Sequence, residues 1–168
     1  MELTSEHHAA VDRRRRFTVQ YDAFSNLGGD FGQWLDYRFA YCDTPGVQID
    51  SLWWDIGGGS YAVYPSEILP PTEDVGLVVW REQGIDWVKE LVDQTHRRGL
   101  ECFWNHRISE VDVKPEGGLD LERLHPLKQE HPDWVIQSWW WQGLWNLASP
   151  GLREYMVSVL RELAETYD

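Results

Sequence analysis

The sequence predicts an α/β chain: the N-terminal part, about three βα units, of a (β/α)8 TIM barrel, incomplete at this length. Three observations predict it. Runs of β-forming residues alternate three times with runs of helical periodicity. The returns from helix to strand are short, at Pro45-Gly46 and Gly99, whereas the segments after strands two and three are long. And 168 residues fall short of the roughly 250 that eight such units need.

Residues 1–12 are polar and read as a frayed arm, which the basic run Arg13 to Arg16 extends into a flexible polar and basic segment over 1–15. The partial barrel, expected to be the catalytic domain, then occupies 16–168. Arg16 to Ala23 alternate and carry β-formers, which predicts strand one. Phe31, Trp34, Leu35, Phe39 and Cys42 recur at helical spacing, so the first helix runs from about Phe31 to Asp43, ended by Pro45-Gly46. Val47 to Ile56 is strand two, and Gly57 to Gly59 predict a sharp turn directly after it. Ser60 to Val79 reads as a long loop.

The second helix runs from about Glu82 to Arg98, with Ile85, Val88, Leu91, Val92 and Thr95 on its inner face and Gly99 just past its end. Leu100 to Arg107 is strand three. A second long loop, Ile108 to Trp145, carries Trp139-Trp140-Trp141. Ser149-Pro150 starts the third helix, Ser at the N-cap and Pro in the first turn. Its apolar face is Leu152, Tyr155, Met156, Val159, Leu160 and Leu163.

Composition excludes several functions. A net charge of −13 argues against a nucleic-acid partner, because phosphate binding needs a basic face. No apolar run approaches a membrane span. The polar start does not resemble a signal peptide, so with Met1 as the true start the expected location is cytoplasmic. Cys42 and Cys102 lie far apart in apolar-patterned segments and read as buried free thiols. His125 and His131 lack zinc-ligand spacing, and the glycine runs form neither GxGxxG nor a P-loop. No metal or organic cofactor is implied.

The chemistry-bearing residues cluster at strand C-termini, the face where α/β folds bind ligands. Asp22 stands with Ser25 and Asn26 after strand one. Trp53-Trp54-Asp55 ends strand two. Asn105-His106-Arg107 ends strand three, followed by Glu110 and Asp112. Tryptophan rings suit the apolar C–H face of a sugar, and charged groups bond its hydroxyls. Three consecutive tryptophans cannot all be buried by one regular element, so Trp140 joins the predicted substrate-binding set of Asp22, Trp54, Asp55, Asn105, His106 and Arg107. Asp55 and Glu110 are the candidate catalytic carboxylates; glycoside hydrolysis needs two, one of them held protonated. Bland readings stand beside these. Asp22 or Asp55 can cap loop N–H groups, Trp54 can be core, His106 can be a structural imidazole, and Arg107 can pair with Glu110 or Asp55.

The phrase Gly99-Leu-Glu-Cys-Phe-Trp-Asn-His-Arg107, the segment His131-Pro-Asp-Trp134 and above all Trp145-Asn-Leu-Ala-Ser-Pro-Gly-Leu-Arg-Glu-Tyr155 resemble glycosyl-hydrolase-like family 10 and related TIM-barrel glycosidase-like proteins. The resemblance covers about Phe17 to Asp168. It implies hydrolysis of O-glycosyl bonds by carboxylate acid/base chemistry, with Asn105 and Arg107 as ligand contacts. It also implies a fourth barrel strand ending in an essential carboxylate, so that this chain is expected to be a fragment lacking that group and inactive alone. Two rival expectations are a carbohydrate-binding protein without turnover and a Trp-rich interaction module. Open strand edges further predict self-association.

Overall fold

The structure is a computed structural model that describes residues 4–23, 27–58, 60–109, 124–136 and 143–167. Its centre is a parallel three-stranded sheet in the order β1 (Thr18–Asp22), β2 (Ser51–Gly58), β3 (Glu101–Arg107). Strand order follows chain order, as successive βα units dictate. The chain starts with helix α1 (Ser5–Asp12), where the sequence suggests a frayed arm; Thr4 caps it by accepting the N–H of His7. Arg15 then pairs with Glu101 at the start of β3. Part of the expected arm is therefore folded against the N-terminal end of the sheet.

Helix α2 (Phe31–Phe39) begins where Asp30 accepts the Gln33 N–H. The second helix, expected from about Glu82, starts at Trp87, and an additional helix precedes it, mostly inside the expected loop. Helix α3 (Val75–Glu82) is capped by Asp74, and α4 (Trp87–Arg97) by Asp86. Between them Gly84 takes φ +75°, a conformation that ends α3. The loop expected over Ser60 to Val79 thus ends five residues early. The loop expected over Ile108 to Trp145 also holds structure: helix α5 (Pro126–Glu130), a 3-10 turn (Pro132–Trp134) and an antiparallel pair, β4 (Val135–Ile136) with β5 (Leu144–Trp145). Helix α6 (Pro150–Tyr167) starts at the expected proline.

The core lies between one face of the sheet and the helices. Leu52, Trp54 and Ile56 from β2 are buried there with Phe39, Val88, Leu91, Val159 and Leu163. Tyr21 of β1 and Trp104 of β3 pack on the same side. Arg38 is buried too, with its guanidinium 4.8 Å from the Trp34 ring and 5.1 Å from that of Tyr21. The half-buried thiols Cys42 and Cys102 are both free. No helix among the described residues is long and apolar enough to cross a membrane.

The predicted turn at Gly57 is also corrected. Strand β2 runs on through Gly58, with a register shift between Asp55 and Gly57. Glycine is needed there for space. A Cβ at Gly57 would collide with the His106 and Trp104 rings. Gly57→Ala is expected to lower the unfolding free energy by about 1–3 kcal/mol through overpacking. A urea melt with an unchanged midpoint would contradict this close approach.

Candidate functional site

Strand alternation decides which end-of-strand residues meet. On β2, Leu52, Trp54 and Ile56 face the helices, so Trp53 and Asp55 face the other way. On β1 the exposed positions are Thr18, Gln20 and Asp22. The register sets Asp22 beside Asp55 and Asp55 beside Asn105. Three polar side chains therefore cross the C-terminal edge of the open face in one row.

Arg107 closes that row. Its Nε donates to Asp55 Oδ1 at 3.1 Å and its Nη2 to Oδ2 at 2.8 Å, a forked pair. The same Nη2 reaches Asp22 Oδ2 at 3.3 Å. One guanidinium thus ties the ends of all three strands. The Arg107 pKa is raised, mainly by its hydrogen bond to Asp55. Exposure is uneven: the Asp55 side chain is 10% exposed and that of Arg107 49%. Of the readings left open by the sequence, pairing of Arg107 with Asp55 is the one observed. The half-buried Asn105 carboxamide has no side-chain partner among the described residues and is free to bond a ligand.

Below this row lies an aromatic floor; the sequence reading named Trp53 in the strand-two cluster but put Trp54 in the substrate-binding set. Trp53 is 39% exposed and its ring lies 4.9 Å from Phe103. Arg15 sits 5.2 Å over the Phe103 ring. The signal was present: Trp53 precedes Asp55 by two, so a strand puts both on one face.

Two predicted site residues point elsewhere. Trp54 is 0% exposed on the helix face, and its Nε1 donates to Thr95 Oγ1 at 3.0 Å. It is core, which corrects its assignment as a sugar platform. His106 also lies on the helix side, because it alternates in step with Cys102 and Trp104 along β3. Its Nδ1 accepts the Trp104 indole N–H at 3.1 Å. It lines a cavity of about 440 Å³ with Val92, His96, Leu160 and Leu163, between α4 and α6. Burial pushes its pKa down. His106 is accordingly placed away from the Asp55 row. Ser25, Asn26, Glu110, Asp112 and Trp140 lie outside the described residues.

The row offers carboxylate acceptors, a guanidinium, a carboxamide and an indole face. Such a set suits a neutral polyhydroxylated ligand. Among the described residues, no group of three or more His, Cys, Asp or Glu side chains is arranged to hold a metal ion.

Comparison with known proteins agrees in direction. The family model described as "Glycosyl hydrolase-like 10" matches residues 41–168. The chain is 30% identical over 113 residues to "Glycosyl hydrolase YngK" of Bacillus subtilis (strain 168), which takes in 64% of this chain and 21% of that protein. The chain therefore spans about a fifth of that relative's length.

Two outcomes are expected here. Replacing Arg107 with Met leaves Asp55 without its partner, and the Asp55→Asn/Arg107→Met pair should be non-additive by about 1 kcal/mol in a double-mutant cycle. Strict additivity would contradict the forked contact. His106 has a depressed folded-state pKa, so protonation favours the unfolded chain. Stability should fall as pH drops from the ordinary imidazole value through the lower folded one. His106→Gln should flatten that slope; an unaltered slope assigns it to other groups.

Proposed function

Since the chain belongs to the Glycosyl hydrolase-like 10 family, we propose that it is the opening part of a (β/α)8 barrel that acts on the O-glycosyl bonds of carbohydrate. The parallel order β1-β2-β3 and the long connections at the strand C-termini support the barrel reading. The observation that carries the ligand reading is the row Asp22–Asp55–Asn105, bridged by Arg107 above the exposed Trp53 face.

In this reading the residues divide by task. Trp53 offers a flat face to a sugar ring, and Asn105 and Arg107 bond hydroxyls. Asp55 holds Arg107 in place. Both of its oxygens accept N–H groups from that guanidinium, so neither is oriented to donate a proton to a glycosidic oxygen. That weighs against Asp55 as the general acid. The acid and its partner carboxylate are then supplied from outside the described residues, Glu110 and a further barrel strand being the candidates. The edges of β1 and β3, unpaired among the described residues, support either pairing with further strands or self-association.

Binding without turnover is favoured as the second reading by the same geometry, because the row recognises hydroxyls without a positioned acid. The test is a titration of the chain with neutral oligosaccharides, together with an assay for new reducing ends. Binding is expected, and it should weaken about tenfold in Asp55→Asn, as the Arg107 anchor is lost. Hydrolysis is expected only from a chain that also carries the further strands. Oligosaccharide binding that ignores both Asp55→Asn and Arg107→Met would remove the row from the site.

A further inference from the structure

The connection from β2 to α3 leaves the sheet at the rim that carries Asp55, and it is tied back through one carboxylate. Glu162 on α6 accepts the Tyr64 O–H at 2.8 Å, the Ser66 O–H at 2.5 Å and the Glu67 N–H at 2.6 Å. Ser66 Oγ also accepts the N–H groups of Ile68 and Leu69 at 3.1 and 2.9 Å. A hydroxyl can donate once and accept twice, so this arrangement uses Ser66 fully. Burial raises the Glu162 pKa, but the donors from Ser66, Glu67 and Tyr64 outweigh it and hold the carboxyl below its ordinary value.

Other ties make the same connection stiff. Trp87 Nε1 donates to the Val63 carbonyl at 2.6 Å. Ala62 exchanges backbone bonds with Pro70 and Thr72, each at 2.8 Å.

This well-anchored loop carries an exposed ring. Tyr61 is 42% exposed, whereas its neighbours Ser60 and Ala62 are buried. Its ring stands edge-on, 4.6 Å from the buried imidazole of His125, which comes from the connection after β3. The two rim connections therefore meet at one aromatic pair. Tyr61 is three residues past Gly58, whose register partner is Arg107. Asp55 itself is six residues before Tyr61, a span of at most about 20 Å, so the ring and the Asp55 row stand within the length of a short oligosaccharide.

We propose that Tyr61 is a saccharide-contacting ring at this rim, and that Glu162, which touches no ligand, is the positioning residue that fixes the loop carrying it. The proposal rests on the carbohydrate reading of the Asp55 row. An aromatic side chain held from behind loses little entropy when a sugar stacks on it, and that favours binding.

The experiment titrates the 168-residue chain with cello-, malto- and chito-oligosaccharides by calorimetry. Parallel titrations use Tyr61→Ala, Tyr61→Phe, Glu162→Gln and the Tyr61→Ala/Glu162→Gln double variant. Amide exchange across 61–69 is followed in each. Tyr61→Ala should weaken binding about tenfold and Tyr61→Phe about twofold or less, since the ring and not the hydroxyl makes the contact. Glu162→Gln should speed exchange across 61–69 and weaken binding several-fold. In the Tyr61→Ala background that binding penalty should vanish, which a purely structural role for Glu162 would not produce. Parent-like affinity in Tyr61→Ala overturns the ring contact, and a Glu162→Gln penalty that persists without Tyr61 overturns the positioning role. If the parent chain binds no saccharide of the panel, the carbohydrate reading fails and this proposal with it. That outcome is distinct from a parent that binds and variants that do not differ.

Discussion

The two-residue period of β2 is the constraint on which the rest of the molecule depends. Among the described residues it is the only strand of the parallel sheet with a partner on both sides. Leu52, Trp54 and Ile56 are committed to the helices, which leaves Trp53 and Asp55 for the other face. A shift of one residue would bury Asp55 in the aromatic core and expose Trp54. Parallel pairing then passes the same division to β1 and β3. Asp22 and Asn105 are brought level with Asp55 by register alone.

Much of the fold was legible because its elements carry strong local signals. β1, β3, α2 and α6 fall within a few residues of where periodicity and capping residues put them. The second helix reads as starting at Glu82 because Ile85 extends the apolar period of Val88, Leu91 and Val92 back across the break between α3 and α4. The break was nonetheless written twice, in Gly84 and in Asp86, an end residue followed by a start residue. The run of glycines after β2 misled in the opposite way. Gly57 is required by the rings of Trp104 and His106, a tertiary contact that no local rule contains.

The site was legible by position but not by direction. Asp22, Asp55 and Arg107 sit at strand ends and do meet, with Asn105 level with Asp55 in register. Trp54 and His106 also sit at strand ends and do not join them. For Trp54, counting in twos from Asp55 would have given the answer. For His106 the same count along β3 would have served, since it follows Trp104 by two and shares the helix side. The same alternation leaves Arg107, two residues past Asn105, on the open face to reach back to Asp55 and Asp22. The register shift sets Gly57 opposite His106, where glycine leaves room for the imidazole and the Trp104 ring.

The central claim is that the open face with Trp53, Asp55 and Asn105 meets ligand while the helix face with Trp54 is core. The most direct measurement follows the indole and side-chain amide resonances by nuclear magnetic resonance during an oligosaccharide titration. The account predicts that the Trp53 indole and Asn105 carboxamide signals move with saturating shifts while the Trp54 indole, bonded to Thr95, stays fixed. Movement of the Trp54 signal with Trp53 and Asn105 unchanged would contradict it.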